Sequence, residues 1–157
     1  VELDDFKGSW AGAFGHVQFM PQTFLAYAVD FDGDGKKDLR NSIPDSLASA
    51  ANYLSNVGWK PNIGWGFRAK ANNGVPEKYL GRDKYYKMGD WKNLGISFYN
   101  GRPLPKTSQK MSLIDPDPKD GDRSNLYLVT ENFNVIMDWN RSQYFAVSVG
   151  LISDELR

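Results

Sequence analysis

Residues 8–39 read GSWAGAFGHVQFMPQTFLAYAVDFDGDGKKDL. A tight segment of small residues runs into a proline, a short apolar pattern and then an acidic, glycine-rich loop. Small residues let a backbone approach another group closely. Pro21 suits the first turn of a helix. Phe24, Leu25, Tyr27 and Ala28 then fall on one face, which the periodicity predicts to be buried. The helix must stop at DFDGDGKKD, which is too polar and too rich in glycine to continue it.

That loop carries the sharpest chemical signal in the chain. Asp30, Asp32 and Asp34 stand at the first, third and fifth positions of an EF-hand-like loop, Gly35 stands at the sixth where the chain must turn, the Lys36 carbonyl follows at the seventh, and Asp38 stands at the ninth. Four carboxylates so close in sequence repel one another unless a cation neutralises them, and hard oxygen ligands at this spacing point to Ca²⁺. The departure is Asn41, where an EF-hand carries a bidentate Glu. Asp45 lies just beyond and closes the site if the loop is longer than usual. An acidic turn holding no ion is the alternative. Such a site serves as a structural staple, because its ligands are spent on holding the loop.

Beyond the loop, NSIPDSLASAANYLSNVGW continues as a helix. Ser42 or Asn41 caps it and Pro44 lies near its first position. Leu47, Ala50, Ala51, Leu54 and Val57 form an apolar stripe, and Gly58 ends it. From Trp59 to Asn125 the chain is dense in Gly, Pro, Asn, Asp and Lys and reads as short strands and loops. The Asn100–Gly101 pair within FYNGRPL is a hairpin signal. DPDPKDGDRSN, at 115–125, is a polar surface loop. LYLVTENFNVIMDWN and SQYFAVSVGLISDEL read as a strand or connector followed by two helices, with Ser142 as a cap between them.

The 157 residues suit one domain, or one domain with an insertion. Lys plus Arg and Asp plus Glu balance at 19 each, so no bulk attraction to nucleic acid is expected. There is no cysteine, which excludes disulfides and thiolate nucleophiles. Aromatics reach 14%, and most are expected in the core with the remainder at a binding surface.

In SWAGAFGHVQFMP the polar groups are Ser9, His16 and Gln18. Gln18, between Val17 and Phe19, is expected to be partly buried and hydrogen-bonded. His16 is the only histidine, and no G-x-S-x-G elbow accompanies it.

The block 8–39, followed by DSLASAANYL and GW at 58–59, resembles the catalytic region of lytic murein transglycosylases of the membrane-bound B type. NFNVIMDWNRSQYFAVSVGLISDEL resembles the closing segment of that family, and WKNLGISFYNGRPLP its middle. The resemblance implies an α+β, mainly helical architecture: a lysozyme-like transglycosylase core with an EF-hand-like loop and a small β-rich insertion. Residues 1–58 would be a helical catalytic-core segment with the calcium loop, 59–125 the β-rich insertion, and 126–157 a C-terminal helical segment returning to the core. The implied reaction cleaves the MurNAc-β-1,4-GlcNAc bond of peptidoglycan. One Glu protonates the leaving oxygen and then helps the muramic C6 hydroxyl close a 1,6-anhydro ring, unlike the two-carboxylate glycosidases.

Carried over by position, Ser9, Gln18, Phe19 and Met20 match one wall of the substrate cleft and Tyr53 a cleft tyrosine. Trp139 and Asn140 match a site where the family often has tyrosine then asparagine. Tyrosine is also expected near Phe145, so Phe145 lacks a hydroxyl. Asp30, Asp32, Asp34, Lys36 (through its backbone) and Asp45 match the family's structural Ca²⁺ site, where the closing carboxylate lies beyond the twelfth position. The implied partners are peptidoglycan glycan strands and an N-terminal segment of the same enzyme. A monomer is expected, in the periplasm, with an outer-membrane lipid anchor upstream.

The family's catalytic glutamate lies in a Glu-Ser-x-x-Gly motif upstream of the SWAG block. The glutamates here are Glu2, Glu77, Glu131 and Glu155, and none stands in that motif. The chain, which opens on Val1, is therefore expected to be the C-terminal part of such an enzyme and inactive alone. The alternative function is a non-catalytic, calcium-stabilised glycan-binding module. A dockerin-like interaction domain ranks last, because only one such loop is present.

Overall fold

The computed structural model describes residues 8–118 and 123–156. Glu2 and part of the 115–125 loop lie outside the described residues. The chain divides into two compact units, Val1–Gly58 and Trp59–Arg157.

The first unit begins with a tight hairpin. Phe14 and Phe19 exchange both backbone hydrogen bonds, N–H to O at 3.0 and 3.1 Å. Gly15 and Gln18 both adopt positive φ to close the turn between them, at 75° and 51°. Helix α1 (Pro21–Tyr27) starts with proline in its first turn, and α2 (Ile43–Asn56) starts at Ser42, whose side chain accepts the Asp45 N–H. The expected cap and the nearby proline are both present.

The buried faces differ from the periodic pattern. Leu25 is 78% exposed and Leu47 64% exposed, and Ala51 is also exposed. The face of α2 that is buried carries Asp45, Ser46 and Ser49. These side chains serve the irregular backbone before the helix. Ser49 Oγ accepts the Val29 N–H at 3.0 Å, Ser46 Oγ donates to the Leu39 carbonyl at 3.1 Å, and Asn52 Nδ2 donates to the Tyr27 carbonyl at 2.9 Å. A loop with no ladder of its own must have its backbone groups paired elsewhere. That need outranks apolar burial here.

The second unit is built on an antiparallel sheet: β1 (Gly66–Ala71), β2 (Tyr86–Lys87), β3 (Ile96–Phe98), β4 (Lys110–Ile114) and β5 (Tyr127–Val129). The strand order is β2-β4-β5-β1-β3. In the central strand, Leu128 faces one core, with Ala69, Trp91, Ile96 and Leu113. Tyr127 and Val129 face the other, with Trp65, Ile114, Phe133, Ile136 and Ala146. This is the two-residue alternation of a sheet covered on both sides. Helix α3 (Met88–Asn93) seals the first core through Trp91, whose Nε1 donates to the Met111 carbonyl at 2.9 Å. Helices α4 (Glu131–Trp139) and α5 (Gln143–Glu155) cover the second.

Two expectations are modified here. The sheet crosses the boundary expected at 125/126, because β5 pairs with β4 and with β1. At Asn100–Gly101 the chain does turn, with Gly101 at φ 82° and Phe98 N–H bonded to the Arg102 carbonyl at 3.0 Å. No strand follows the turn, and β3 pairs with β1 instead.

Candidate functional site

The acidic loop folds around its own carboxylates. Asp30 Oδ1 accepts the Gly33 N–H at 2.7 Å and Oδ2 the Gly35 N–H at 2.9 Å. Gly33 and Gly35 take φ of 77° and 87°, which only glycine adopts cheaply. Asp45, fully buried, reaches in from α2: Oδ1 accepts from Phe31 N at 2.8 Å and Oδ2 from Asp38 N at 2.9 Å. These bonds, Phe31's first, hold its carboxyl below the ordinary carboxylate range against the opposing effect of burial.

One carboxylate oxygen each from Asp30, Asp32 and Asp45 lies within 4.8 Å of the others. Carboxylates this close repel one another, the backbone N–H bonds offset part of that repulsion, and an all-oxygen donor set suits a hard cation. Asp34 is not in that group; its Oδ1 accepts the Lys36 N–H at 2.8 Å. Asp38 is used differently, accepting the Arg40 and Asn41 N–H groups at 2.9 Å and the Asn41 side-chain amide. The Asn41 side-chain bond is the first cause of its lowered pKa. Asn41, the departure from the EF-hand pattern, thus fixes the exit from the loop.

The glycine-rich hairpin is held by local hydrogen bonds and one close approach. Ser9 Oγ accepts the Ala13 N–H at 3.1 Å. A Cβ on Gly15 would meet the Leu39 carbonyl oxygen at 2.4 Å, and the adjacent His16 N–H donates to that same oxygen at 2.8 Å. The group that Gly15 approaches is therefore Leu39 of the acidic loop's exit. Gln18 is exposed rather than partly buried, because the left-handed turn carries it outward; its Nε2 donates to the Gly15 carbonyl at 2.9 Å. Phe19 is 2% exposed and packs on Tyr53, ring centroids 6.0 Å apart, while Met20 is 43% exposed. Tyr53 also meets Tyr27 edge-on at 5.1 Å. Ser9, Gln18 and Met20 thus show at the surface of a hairpin backed by Phe19 and Tyr53.

In the second unit, Trp139 is the last residue of α4, and Asn140 caps it in an extended conformation, φ −143° and ψ 120°. Asn140 Oδ1 accepts the Ser142 N–H at 3.1 Å, and Ser142, the expected cap of α5, accepts the Phe145 N–H at 3.3 Å.

Among the described glutamates, all three are exposed. Glu77 is paired with Arg123 and Glu131 with Lys60. Burial lifts one other carboxyl, that of Asp115, above its ordinary range. Sequence reasoning missed Asp115, whose Asp-Pro-Asp-Pro setting reads only as a turn.

The chain matches the family model for the transglycosylase SLT domain over residues 1–154. It is 34% identical over 151 residues to the membrane-bound lytic murein transglycosylase B of Escherichia coli K12, covering 94% of this chain and 40% of that protein. Its fold is similar to SltB3 from Pseudomonas aeruginosa in complex with NAG-anhNAM-pentapeptide, with a TM-score of 0.88 and 40% identity over 99% of this chain and 41% of that one. It is also similar to the E. coli lytic transglycosylase Slt35 in complex with calcium, with a TM-score of 0.72 and 31% identity over 94% of this chain and 45% of that one. The chain thus spans about two fifths of the length of these relatives. The architecture is the lysozyme-like transglycosylase fold, helices together with a curled antiparallel sheet. With the family match running over nearly the whole sequence, the chain belongs to the SLT-domain family of lytic transglycosylases.

Proposed function

We propose that this chain carries glycan-binding surfaces of a periplasmic peptidoglycan lytic transglycosylase. The parent reaction breaks the MurNAc-β-1,4-GlcNAc bond and leaves 1,6-anhydromuramic ends. The observation that carries this reading is the family match over residues 1–154, together with SltB3, a relative of the same fold, in complex with NAG-anhNAM-pentapeptide. Ser9, Gln18, Met20 and Tyr53 in the first unit, with Phe19 as their buried support, and Trp139 and Asn140 in the second unit are the residues assigned to sugar contact. An aromatic face suits a sugar ring, and exposed amides suit its hydroxyl and acetamido groups.

Ca²⁺ is the cation of the acidic loop in this reading, held by Asp30, Asp32, Asp34, the Lys36 carbonyl and Asp45. Its contribution is charge neutralisation that locks the loop. The convergence of Asp30, Asp32 and Asp45 supports it, as does a relative in complex with calcium.

The acid-base carboxylate is assigned to a part of the enzyme other than these residues. None of the described glutamates stands in a Glu-Ser-x-x-Gly motif, and all three are exposed. That same observation favours a second reading, a calcium-stabilised glycan-binding module without chemistry. Co-sedimentation with insoluble murein tests what the two share. Wild-type chain should pellet with murein, and Gln18→Ala and Trp139→Ala should pellet markedly less. Chain left wholly in the supernatant would overturn both readings.

A further inference from the structure

Two exposed Asn-Gly pairs stand in the second unit, Asn73–Gly74 after β1 and Asn100–Gly101 after β3. Both glycines are left-handed, at φ 72° and 82°. Asparagine is a thermolabile residue, and a following glycine has no side chain to shield its backbone nitrogen from the Asn carboxamide. Exposure and turn geometry do not separate the two pairs, but hydrogen bonding does. Gly101 N–H donates to the Phe98 carbonyl at 2.8 Å, and Asn100 Oδ1 accepts the Arg102 N–H at 3.1 Å. The attacking nitrogen and the carboxamide it would attack are both tied there. The acidic loop is tied in a similar way: Gly33 and Gly35, which follow Asp32 and Asp34, donate to Asp30 at 2.7 and 2.9 Å. Gly74 differs. Its N–H donates to no group among the described residues, and the Asn73 side chain makes no hydrogen bond among them.

We propose that Asn73 is a site of spontaneous deamidation in the folded chain, and that the fold spares Asn100. Gly74 N attacks Asn73 Cγ and forms a C–N bond. The Cγ–Nδ2 bond breaks, and Nδ2 leaves as ammonia with the proton lost from Gly74 N. Water then opens the five-membered imide, giving its hydroxyl to one carbonyl carbon and a proton to the ring nitrogen. Opening at Cγ yields aspartate. Opening at the backbone carbonyl yields isoaspartate, whose main chain runs through Cβ and Cγ and is longer by one methylene. The lengthened link lies between Asn72, whose N–H bonds to the Gly95 carbonyl at 3.0 Å, and Val75, which is buried in the first core. At Asn100 the same attack must first break the Gly101 bond. One net hydrogen bond is worth about fivefold in rate.

The test ages the full 157-residue chain in mildly alkaline buffer, once folded and once unfolded in urea. Peptide mapping by mass spectrometry follows the deamidated fraction at each asparagine, and isoaspartyl methyltransferase labelling detects the isoaspartate. Unfolded chain removes the hydrogen bonds and provides the reference, in which both Asn-Gly pairs react. In folded chain the ratio of Asn73 to Asn100 deamidation should rise by at least about fivefold over the unfolded ratio. Methyltransferase labelling of the folded, aged chain should concentrate on the peptide holding residue 73 and should be largely lost in Asn73→Gln, whose longer side chain closes the smaller ring far less readily. A folded ratio no greater than the unfolded one, or folded chain that stays unmodified at Asn73 while unfolded chain reacts, would overturn the proposal.

Discussion

The carboxylate of Asp45 reaches back fourteen residues to the backbone of Phe31, accepting its N–H through Oδ1 at 2.8 Å, while Oδ2 holds the Asp38 N–H at 2.9 Å. One side chain from α2 thereby fixes both ends of the acidic loop. Asp45→Ala leaves two backbone donors without their partner, and such orphaned groups are costly. The melting temperature should fall by several degrees, and Asp45→Asn, which keeps one acceptor, should lose less. Thermal melts monitored by circular dichroism check the order.

The same loop predicts a response to calcium. A ligand bound only by the folded chain stabilises it by about 2.7 kcal/mol when present at roughly a hundred times its Kd. Millimolar Ca²⁺ should raise the melting temperature and excess EGTA should reverse the shift. Asp30→Asn and Asp45→Asn should blunt it. An identical melt with and without Ca²⁺ would contradict the assignment.

Gly150 and Trp65 give a test of the second unit's core. A Cβ at Gly150 would meet the indole Cδ2 at 2.2 Å and Cε2 at 2.3 Å, and Trp65 is also tied to Asp154 through Nε1 at 3.0 Å. The indole cannot simply rotate away. Gly150→Ala should cost about 1–3 kcal/mol by overpacking, which corresponds to roughly 2–4 °C in melting temperature per kcal/mol at this chain length. Urea denaturation measures it.

Asp115 predicts a pH dependence. Burial, the first cause, raises its folded pKa above the ordinary value of 3.8. The fold therefore disfavours the ionised form. That cost is absent below the unfolded pKa, grows as pH rises through the interval up to the folded pKa, and is complete above it. Asp115→Asn should be more stable than wild type at neutral pH, with the gap closing as pH falls through the folded pKa towards about 4. A gap that stays constant across pH would contradict this origin.

Much of this was legible in the residues, and the exceptions share a cause. The acidic loop reads directly because its carboxylates and glycines are local, and so do the caps at Ser42 and Ser142. Leu47 is exposed against the periodic pattern because α2 spends its inner face on Asp45, Ser46, Ser49 and Asn52, which pair the loop backbone. Periodicity counts apolar side chains and cannot count backbone groups awaiting partners. The apolar neighbours of Gln18 predict an inward side chain, whereas its positive φ turns it out. The strand order was unreadable, because β5 joins the sheet from residues 127–129 and lies between strands from two distant stretches. Such pairing is a long-range property that no local pattern encodes.

The most direct test of the account incubates purified peptidoglycan with the 157-residue chain and reads the soluble products by mass spectrometry, with E. coli membrane-bound lytic murein transglycosylase B as the positive control. The account predicts anhydromuramic products from the control and none from this chain, although the chain sediments with the murein. Anhydromuramic products from the chain itself would contradict it and place the acid within these residues, with Asp115 the first carboxyl to replace.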